Sequence, residues 1–566
     1  MNPPSHEAPA RQGLVLAIAA VILLVGALQL TRPGYSVDEE FTVFAVRGIQ
    51  AQGLPILPSG LLYDRGIAYS YSAWLAGAVT GAELPAFRAV SLISAALSVL
   101  ITFFLIRRIA GNATAAIASL LMTASVPFWA TATTARFYAP FLGSYLLALY
   151  FLTHRHWWIG LIAAAALARL THELAFTLAV IPVVCWLLDR NDRRRWSIAA
   201  GAVIGGLVFG QAILFGLHAS VPSSGETMVR RFFLWQVINL FERPGDRQFT
   251  IPLVVAAIAL IASPKRAWTI SVIALSLAGA ILAFSIAQAS NSGPWSGELV
   301  KSVLIEGSRY PLDMFWHIAR AMPLTLLMTC AGLIARGIRV AGEWRPGERA
   351  IHALWIGWVL WFGVIESGIT TNYLLLPVTF MLIAIAMDGV VLIRLPRVPA
   401  FAIIFLIIAF DQWGRSPVAR LEAARPTILA EGIGDIKAGL QPSDRVACTD
   451  ELGCLMLVGR IDRWLALDDY VRERFLVRRG DGPASGVYTG LPAVFRPMEL
   501  FAPNVDGSLP DRVLIVDIFK DYPIGNSRFW LPKAIEEDGL QVTPLLETPQ
   551  MRVLQVSPRE QIAGLR

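Results

Sequence analysis

Charge is what this chain has least of. Of 566 residues only 16% are Asp, Glu, Lys or Arg, against about 25% in a soluble domain. With 55% hydrophobic residues and a mean hydropathy of +0.57, a soluble fold is excluded and a polytopic membrane protein is expected. Cysteine is also scarce: the four present are too few for a disulfide framework. Cys185 and Cys330 fall inside apolar runs as packing residues, whereas Cys448 and Cys454 lie close together in a polar tail and could pair in an oxidising compartment. There is no internal repeat and no low-complexity segment. No small-residue cleavage site follows the first apolar run, Leu14–Leu30, so that run reads as a span rather than a removable leader. The net charge of +7 is no nucleic-acid signal, because the basic residues cluster between apolar runs.

What is present is a series of about 13 spans of plausible length. The first seven are Leu14–Leu30, Ala86–Ile106, Ala113–Ala130, Ala139–Thr153, Trp157–Leu170, Leu174–Leu188 and Ser197–Leu217. Ile251–Ala262, Ala267–Ala287, Met322–Ala335, Ile351–Ile365, Tyr373–Ile393 and Val398–Phe410 follow. With the N-terminus in the cytoplasm, every short cytoplasmic loop is basic: Arg107-Arg108, Arg155, the Arg190–Arg195 cluster, Lys265-Arg266, Arg336 to Arg349, and Arg394 with Arg397. An odd number of spans then places the tail outside. Residues 1–413 are expected to form the membrane domain and 414–566 an outer α/β domain, since Arg512–Val516 and Met551–Val556 read as short strands.

The first long outer segment, Thr31–Pro85, holds two expected helices. Ser36 and Glu39 fit a capping box with Gly53 as the stop. Ala68–Val79, with Tyr69, Tyr71 and Trp74, is too short to span comfortably and reads as a helix lying in the interface. Arg230–Phe241 reads as another.

On this topology the acids and bases gather at one face: Asp38, Glu39, Arg65, Arg136, Tyr138, His172, Glu173, Arg309, Tyr310, Glu366 and Tyr373. Almost nothing ionisable falls mid-span, where a transporter would keep its site. Each residue also has a plain reading. Glu39 could only close the capping box, and Asp38 could only answer the helix dipole. Arg65 could pair with Asp64 or snorkel, and His172-Glu173 could simply mark a loop. Asp468-Asp469 in the tail is an alternative acid pair, read as solvated surface. The constellation carries more than any single member.

That constellation resembles the GT-C superfamily of lipid-phosphate-sugar-dependent glycosyltransferases, near the protein O-mannosyltransferases and the lipid A aminoarabinose transferase. The family's Asp-Glu pair in the first outer loop appears as Asp38-Glu39, and its Arg at the outer end of the next span as Arg88. Asp64-Arg65-Gly66 stands where the family has Lys-Pro-Pro, and Thr134–Tyr138 is similar to its Ala-Arg-x-Tyr element. Thr171-His172-Glu173 stands for Thr-Lys-Gly, and Asn372-Tyr373 for a late Arg-Tyr. The resemblance implies Asp38 and Glu39 as catalytic residues, and Arg65, Arg88, Arg136, Tyr138 and His172 at the donor phosphate. Glu173, Arg309, Tyr310 and Tyr373 take acceptor or secondary roles. It also implies a bacterial inner membrane and a helical membrane domain with an outer α/β tail.

The chemistry is coherent without the family. A polyprenyl phosphate leaves readily and needs no acid. A base must take the acceptor's proton, and cations must meet the charge growing on phosphate. Asp38 suits the first; Arg65 and Arg136, with His172, suit the second, Arg because its fork fits phosphate. Tyr69 and Trp74 could border the lipid chain's entry. No cofactor is demanded. A divalent cation could sit near Asp38 and Glu39, although no His/Cys spacing requires one. The partners expected are a polyprenyl-phosphate-linked sugar, the bilayer, and an acceptor lipid, glycan or protein. The alternatives are a lipid-linked-sugar transporter or flippase, and a lipid-diphosphate ligase or polymerase.

Overall fold

The computed structural model describes residues 9–36, 38–154, 156–189, 192–220, 322–339, 346–364, 374–392, 397–414, 425–467, 476–477, 483–504, 507–519 and 527–559. The expected spans at 251–262 and 267–287 and the expected helix at 230–241 lie outside these residues, as do Arg309, Tyr310, Glu366, Tyr373, Asp468 and Asp469.

The described part begins with ten α-helices. They are α1 (Pro9–Leu30), α2 (Glu39–Gln52), α3 (Ile67–Thr80), α4 (Leu84–Ala110), α5 (Asn112–Met122), α6 (Val126–Ala132), α7 (Tyr138–Leu152), α8 (Trp158–Thr171), α9 (Val180–Leu188) and α10 (Arg193–Ala219). Four more apolar helices follow at Pro323–Arg339, Pro346–Val364, Leu375–Leu392 and Arg397–Ala409. Among the described residues, three helices are long and apolar enough to cross a bilayer by themselves: Gly13–Leu30, Leu84–Ala110 and Arg193–Ala219. In α4 the punctuation is plain in the sequence. Pro85 sits in the first turn, Arg107 and Arg108 fill the last, and Gly111 ends it. α4 packs on α1, α5 and α7, while α8 lies between α7 and α10. Ala165 of α8 and Gly206 of α10 meet where those backbones come close, the usual use of small residues between membrane helices.

Two spans differ from expectation. Ala113–Ala130 is broken into α5 and α6, bent by 69°. Pro127 cannot continue the hydrogen-bond ladder, and the Ser125 hydroxyl instead caps α6 by accepting from Phe128 N–H at 3.3 Å. Leu174–Leu188 begins as a 3-10 helix, Glu173–Ala179, before becoming α9. The two helices expected in the first outer segment are α2 and α3. Gly53 ends α2 in the left-handed conformation, with its N–H on Ile49 O.

Arg336, expected in a basic solvated loop, is buried. Its guanidinium meets Glu348 Oε2 at 2.6 Å and Asp388 Oδ1 at 3.1 Å. His352 Nε2 lies 3.4 Å from the same Asp388 oxygen, and its Nδ1 accepts from the Trp355 indole at 3.2 Å. Three helices are thus tied together through charged side chains. No local pattern signals this pairing, because the partners lie 12 and 52 residues from Arg336.

The C-terminal part holds a six-stranded sheet in the order β5-β2-β1-β6-β8-β7. The strands are β1 (Arg445–Cys448), β2 (Arg463–Leu465), β5 (Ala493–Val494), β6 (Val513–Ile518), β7 (Leu540–Glu547) and β8 (Met551–Pro558). β3 (Leu476–Val477) and β4 (Ser485–Gly486) form a separate antiparallel pair. β5, β2, β1 and β6 run parallel, and β8 and β7 close the edge antiparallel. β1 and β6 are buried at every residue, and their apolar residues are consecutive, Val446–Cys448 and Val513–Val516, rather than alternating. Cys448 and Cys454 form a disulfide between the end of β1 and the helix Glu451–Val458.

That helix and the β4–β5 turn rest on the membrane part. Tyr35, 2% exposed, belongs to the same apolar cluster as Val446, Cys454 and Ile518. Ser59 donates through its N–H to Tyr488 O at 3.0 Å and through its hydroxyl to Val487 O at 2.7 Å. Glu451, buried at the start of its helix, holds this turn by accepting from the N–H of Thr489 at 2.9 Å and from its hydroxyl.

Two outcomes follow for stability. Asp388→Ala leaves the buried Arg336 short of one carboxylate, and removing one member of a buried ion cluster costs about 3–5 kcal/mol. Thermal unfolding of the purified protein in detergent should show a clear loss, larger than for Asp388→Asn. Burial pushes the Glu451 carboxyl up from 4.5 to about 7, with Thr489 pulling weakly the other way and Asp450 adding to the rise. The folded form therefore holds a proton that the unfolded chain releases. Its stabilising contribution is complete below about 4.5 and lost as pH rises through about 7. Glu451→Gln should flatten that part of the melting-temperature profile.

Candidate active site

The site is built where α1 ends and α2, α4, α7, α8 and α10 present their ends to the same side. Its first element is a pair of buried opposite charges. Glu39, fully buried, receives Arg88 Nε at 2.9 Å on Oε1 and Arg88 Nη2 at 2.7 Å on Oε2. The same carboxylate accepts from Ser36 N–H and Ala135 N–H, both at 2.6 Å. Arg88 spends its remaining donors on the carbonyls of Leu30 (3.2 Å), Arg32 (2.9 Å) and Gly34 (2.9 Å). All five guanidinium N–H groups are engaged.

This corrects two expectations. Arg88, assigned to the donor phosphate, has no donor left for one. Glu39, assigned to catalysis, is an ion-pair partner whose four hydrogen bonds fill it. The capping box is only half made: Glu39 reaches back to Ser36 N–H, but the Ser36 hydroxyl accepts from Arg32 at 3.1 Å, and Asp38 occupies the N-cap position of α2 without a side-chain capping bond.

Asp38 is different in every respect. It has φ 72°, the one positive φ at a non-glycine among the described residues. Asp tolerates this region better than most residues, yet it is uncommon. Its side chain makes no capping hydrogen bond and is 20% exposed. Oδ2 lies 3.8 Å from Arg136 Nη2, close enough for attraction and too far for a hydrogen bond.

Arg136 sits in the turn between α6 and α7. Its Nη1 donates to Tyr63 Oη at 2.6 Å. Its guanidinium carbon lies 4.6 Å from the Phe137 ring, 5.6 Å from Phe41 and 5.7 Å from Tyr138. The rings hold the charge in place by cation–π attraction. Its Nε has no hydrogen-bond partner among the described residues. Arg136, unlike Arg88, keeps donors to offer.

Arg65 does not pair with the adjacent Asp64. Its Nη2 reaches Glu173 Oε1 at 2.7 Å, across 108 residues. Gly66, which follows it, has φ 70° and starts α3; a Cβ there would strike the Phe137 ring, at 2.6 Å. Asp64 pairs instead with His218 Nε2 at 3.2 Å, at the end of α10. Nearby, Arg169 donates to Gln211 Oε1 at 2.9 Å.

His172 closes α8 and is 1% exposed. Its Nδ1 accepts from Leu174 N–H at 3.0 Å, and its ring lies 4.9 Å from Phe141 and 5.1 Å from Phe137. Burial drives its pKa down to about 3, more than the Glu173 charge can restore. His172 is therefore neutral at physiological pH, which removes it as a cation for phosphate. Burial works against the Glu173 charge, but the Arg65 guanidinium overcomes it and holds the carboxyl down, at about 2. Tyr69, expected at the lipid's entry, is buried and donates to Phe87 O at 2.8 Å; Trp74 is 37% exposed.

Of the expected residues, Asp38, Glu39, Arg65, Arg88, Arg136, Tyr138, His172 and Glu173 thus converge, and Arg309, Tyr310 and Tyr373 lie outside the described residues. Tyr63, Phe41, Asp64 and His218 were missed. His218 stood at the polar end of a long apolar run and could have been found there; Tyr63 had no such signal. No group of three His, Cys, Asp or Glu side chains converges to hold a metal among the described residues. Glu39 could join Asp38 on a cation only by leaving Arg88, so the pair does not fit a divalent ion.

Overlay on solved structures gives loose likenesses of the chain's path. ArnT from Cupriavidus metallidurans bound to undecaprenyl phosphate has a TM-score of 0.49 and 15% identity, covering 96% of this chain and 98% of that one. The Archaeoglobus fulgidus oligosaccharyltransferase tethered with an acceptor peptide has a TM-score of 0.43 and 12% identity, covering 89% and 69%. The mycobacterial arabinofuranosyltransferase AftD, as mutant R1389S, has a TM-score of 0.43 and 13% identity, covering 97% and 42%. No curated protein matches the sequence. Residues 64–215 match the family of dolichyl-phosphate-mannose-protein mannosyltransferases. The match spans Arg65, Arg88, Arg136, Tyr138, His172 and Glu173, and over those residues the chain is similar to that family.

Proposed function

We propose that this protein moves a sugar from a polyprenyl-phosphate donor to an acceptor lipid, glycan or protein, by a single displacement with inversion. The observation that carries this reading is the contrast between two adjacent carboxylates. Glu39 is saturated and closed off, while Asp38 is partly exposed, unbonded at its side chain and 3.8 Å from a cation that keeps donors. A carboxylate held ready beside an unspent guanidinium suits proton removal next to a phosphate. The family matched over residues 64–215 is named for a dolichyl-phosphate-mannose donor, which is a sugar on a lipid monophosphate.

In the proposed step the acceptor's nucleophilic atom attacks the anomeric carbon as its proton passes to Asp38. The bond from that carbon to the phosphate oxygen breaks, and its electron pair leaves with the lipid phosphate. Arg136 meets the growing charge, and Arg65, which must share itself with Glu173, supports it. Tyr138 lies beside Arg136 and lines the same pocket of charge. No step needs a metal. On this reading the chain sits in a bacterial inner membrane with its N-terminus in the cytoplasm, and the Cys448–Cys454 disulfide agrees with a tail in an oxidising compartment. A transporter would need polar groups mid-helix. The buried Arg336 cluster lies instead in the end turns of its helices and reads as a structural tie.

Asp38→Asn keeps the size of the side chain, and Asn tolerates a positive φ. It should lose about 10²–10⁴ in turnover, the usual worth of a general base, with donor binding and folding unchanged. Transfer from a synthetic polyprenyl-phosphate sugar in detergent, with donor binding measured separately, is the test; wild-type turnover in this variant would remove the assignment. Arg136→Ala should weaken use of the donor, Arg65→Ala less so because Glu173 already claims it. Glu39→Gln should act on the fold instead. It leaves Arg88 buried without its counter-charge, so the yield of folded protein and its melting temperature should fall before the turnover of the folded fraction does.

A further inference from the structure

Among the described residues, one contact from the C-terminal part to the proposed catalytic centre is an aromatic ring. Tyr488, in the turn between β4 and β5, sets its edge on Phe41, with ring centroids 4.8 Å apart and planes at 85°. Phe41 is stacked on Tyr63 at 5.6 Å and 17°. Tyr63 Oη is the acceptor for Arg136 Nη1 at 2.6 Å, and the Arg136 guanidinium also lies over Phe41 itself, at 5.6 Å. Arg136 in turn is the cation beside Asp38. Three ring contacts and one hydrogen bond therefore run from the sheet to the carboxylate.

The turn that carries Tyr488 is fixed on both sides. Glu451 grips Thr489 from the sheet side, and the Ser59 N–H and hydroxyl grip the Tyr488 and Val487 carbonyls from the membrane side. Gly490 has φ 72°, and its Cα lies against Ser59, so that a Cβ would come within 3.5 Å of Ser59 Cα. A turn so placed, held by backbone bonds and conformation, delivers one side chain to one position.

We propose that Tyr488 is a positioning residue for the transfer step, and that the C-terminal part serves the reaction by pressing the Phe41–Tyr63 stack against Arg136. This rests on the glycosyltransferase reading of Asp38 and Arg136. The physical ground is that Arg136 has only weak direct contact with Asp38, at 3.8 Å, so its place is set by the rings and by Tyr63. A shift of about 1 Å in a catalytic arrangement can cost on the order of 10²-fold in rate. The contacts traced from the turn end on Arg136, so the effect is assigned to the transfer step.

The test is full-length protein in detergent with a polyprenyl-phosphate sugar, reading kcat and donor KM separately. Tyr488→Ala should lower kcat by about tenfold to a hundredfold with little change in donor KM. Tyr488→Phe, which keeps the ring edge, should restore kcat. Gly490→Ala, which strains the turn without removing the ring, should fall between them and serves if Tyr488→Ala does not fold. A kcat for Tyr488→Ala equal to that of the wild type, a loss in Tyr488→Phe as large as in Tyr488→Ala, or a loss expressed in donor KM would each overturn the proposal. Absence of transfer by the wild-type protein itself would instead overturn the reading on which it rests.

Discussion

The buried pair of Arg88 and Glu39 is the interaction on which the rest of the site depends. Two charges out of water are costly unless every lone pair and proton is answered, and here each one is. The answering groups come from four places: the end of α1, the Ser36 turn, the start of α4 and the turn before α7. Moving any of these segments would open a charged pair to low dielectric. The pair therefore fixes the segments that carry Asp38 and Arg136, without touching either. Charge this deeply satisfied has little chemistry to offer and much constraint.

That constraint explains how Asp38 can occupy a conformation that most residues avoid. A residue held in a sparse backbone region costs of order 1–3 kcal/mol and persists only where its surroundings over-determine it. Glu39, its neighbour, is held by four hydrogen bonds from Arg88, Ser36 and Ala135, and Ser36, two residues before Asp38, is held by Glu39 and Arg32. The result is a carboxylate turned out of the helix start instead of capping it. One side chain is committed to structure so that the adjacent one need not be.

The membrane helices, the two helices of the first outer segment and the gathering of charge at one end were legible in the sequence because each depends on a local signal. Leu14–Leu30 is a long apolar run, Gly53 is a stop, and Arg136 interrupts an apolar helix end. What was not legible was how charge is shared. Arg65 passes over Asp64, one residue away, for Glu173; Asp64 goes to His218, 154 residues distant. Adjacent Asp38 and Glu39 look equivalent in the sequence and are opposite in the structure. His172 looks like a cation and is neutral, because burial, which no motif records, decides its charge. The break at Pro127 was available in the sequence, but the apolar run on both sides concealed it.

The balance of charge also bears on which donor the site suits. Asp38 and Glu173 carry one negative charge each, and Arg136 and Arg65 one positive charge each, so these four groups cancel before any donor arrives. Glu39 cancels Arg88. A lipid diphosphate brings more negative charge than a monophosphate, and sites for it ordinarily supply surplus cations or a metal ion to meet it. Here His172 adds no positive charge and Arg88 has no donor to lend. Two arginines, one of them shared, can answer a single phosphate group whose charge grows as the sugar leaves. On the proposed reading, these described residues suit a monophosphate donor better than a diphosphate, because Arg88 is spent on Glu39 and Arg65 is shared with Glu173.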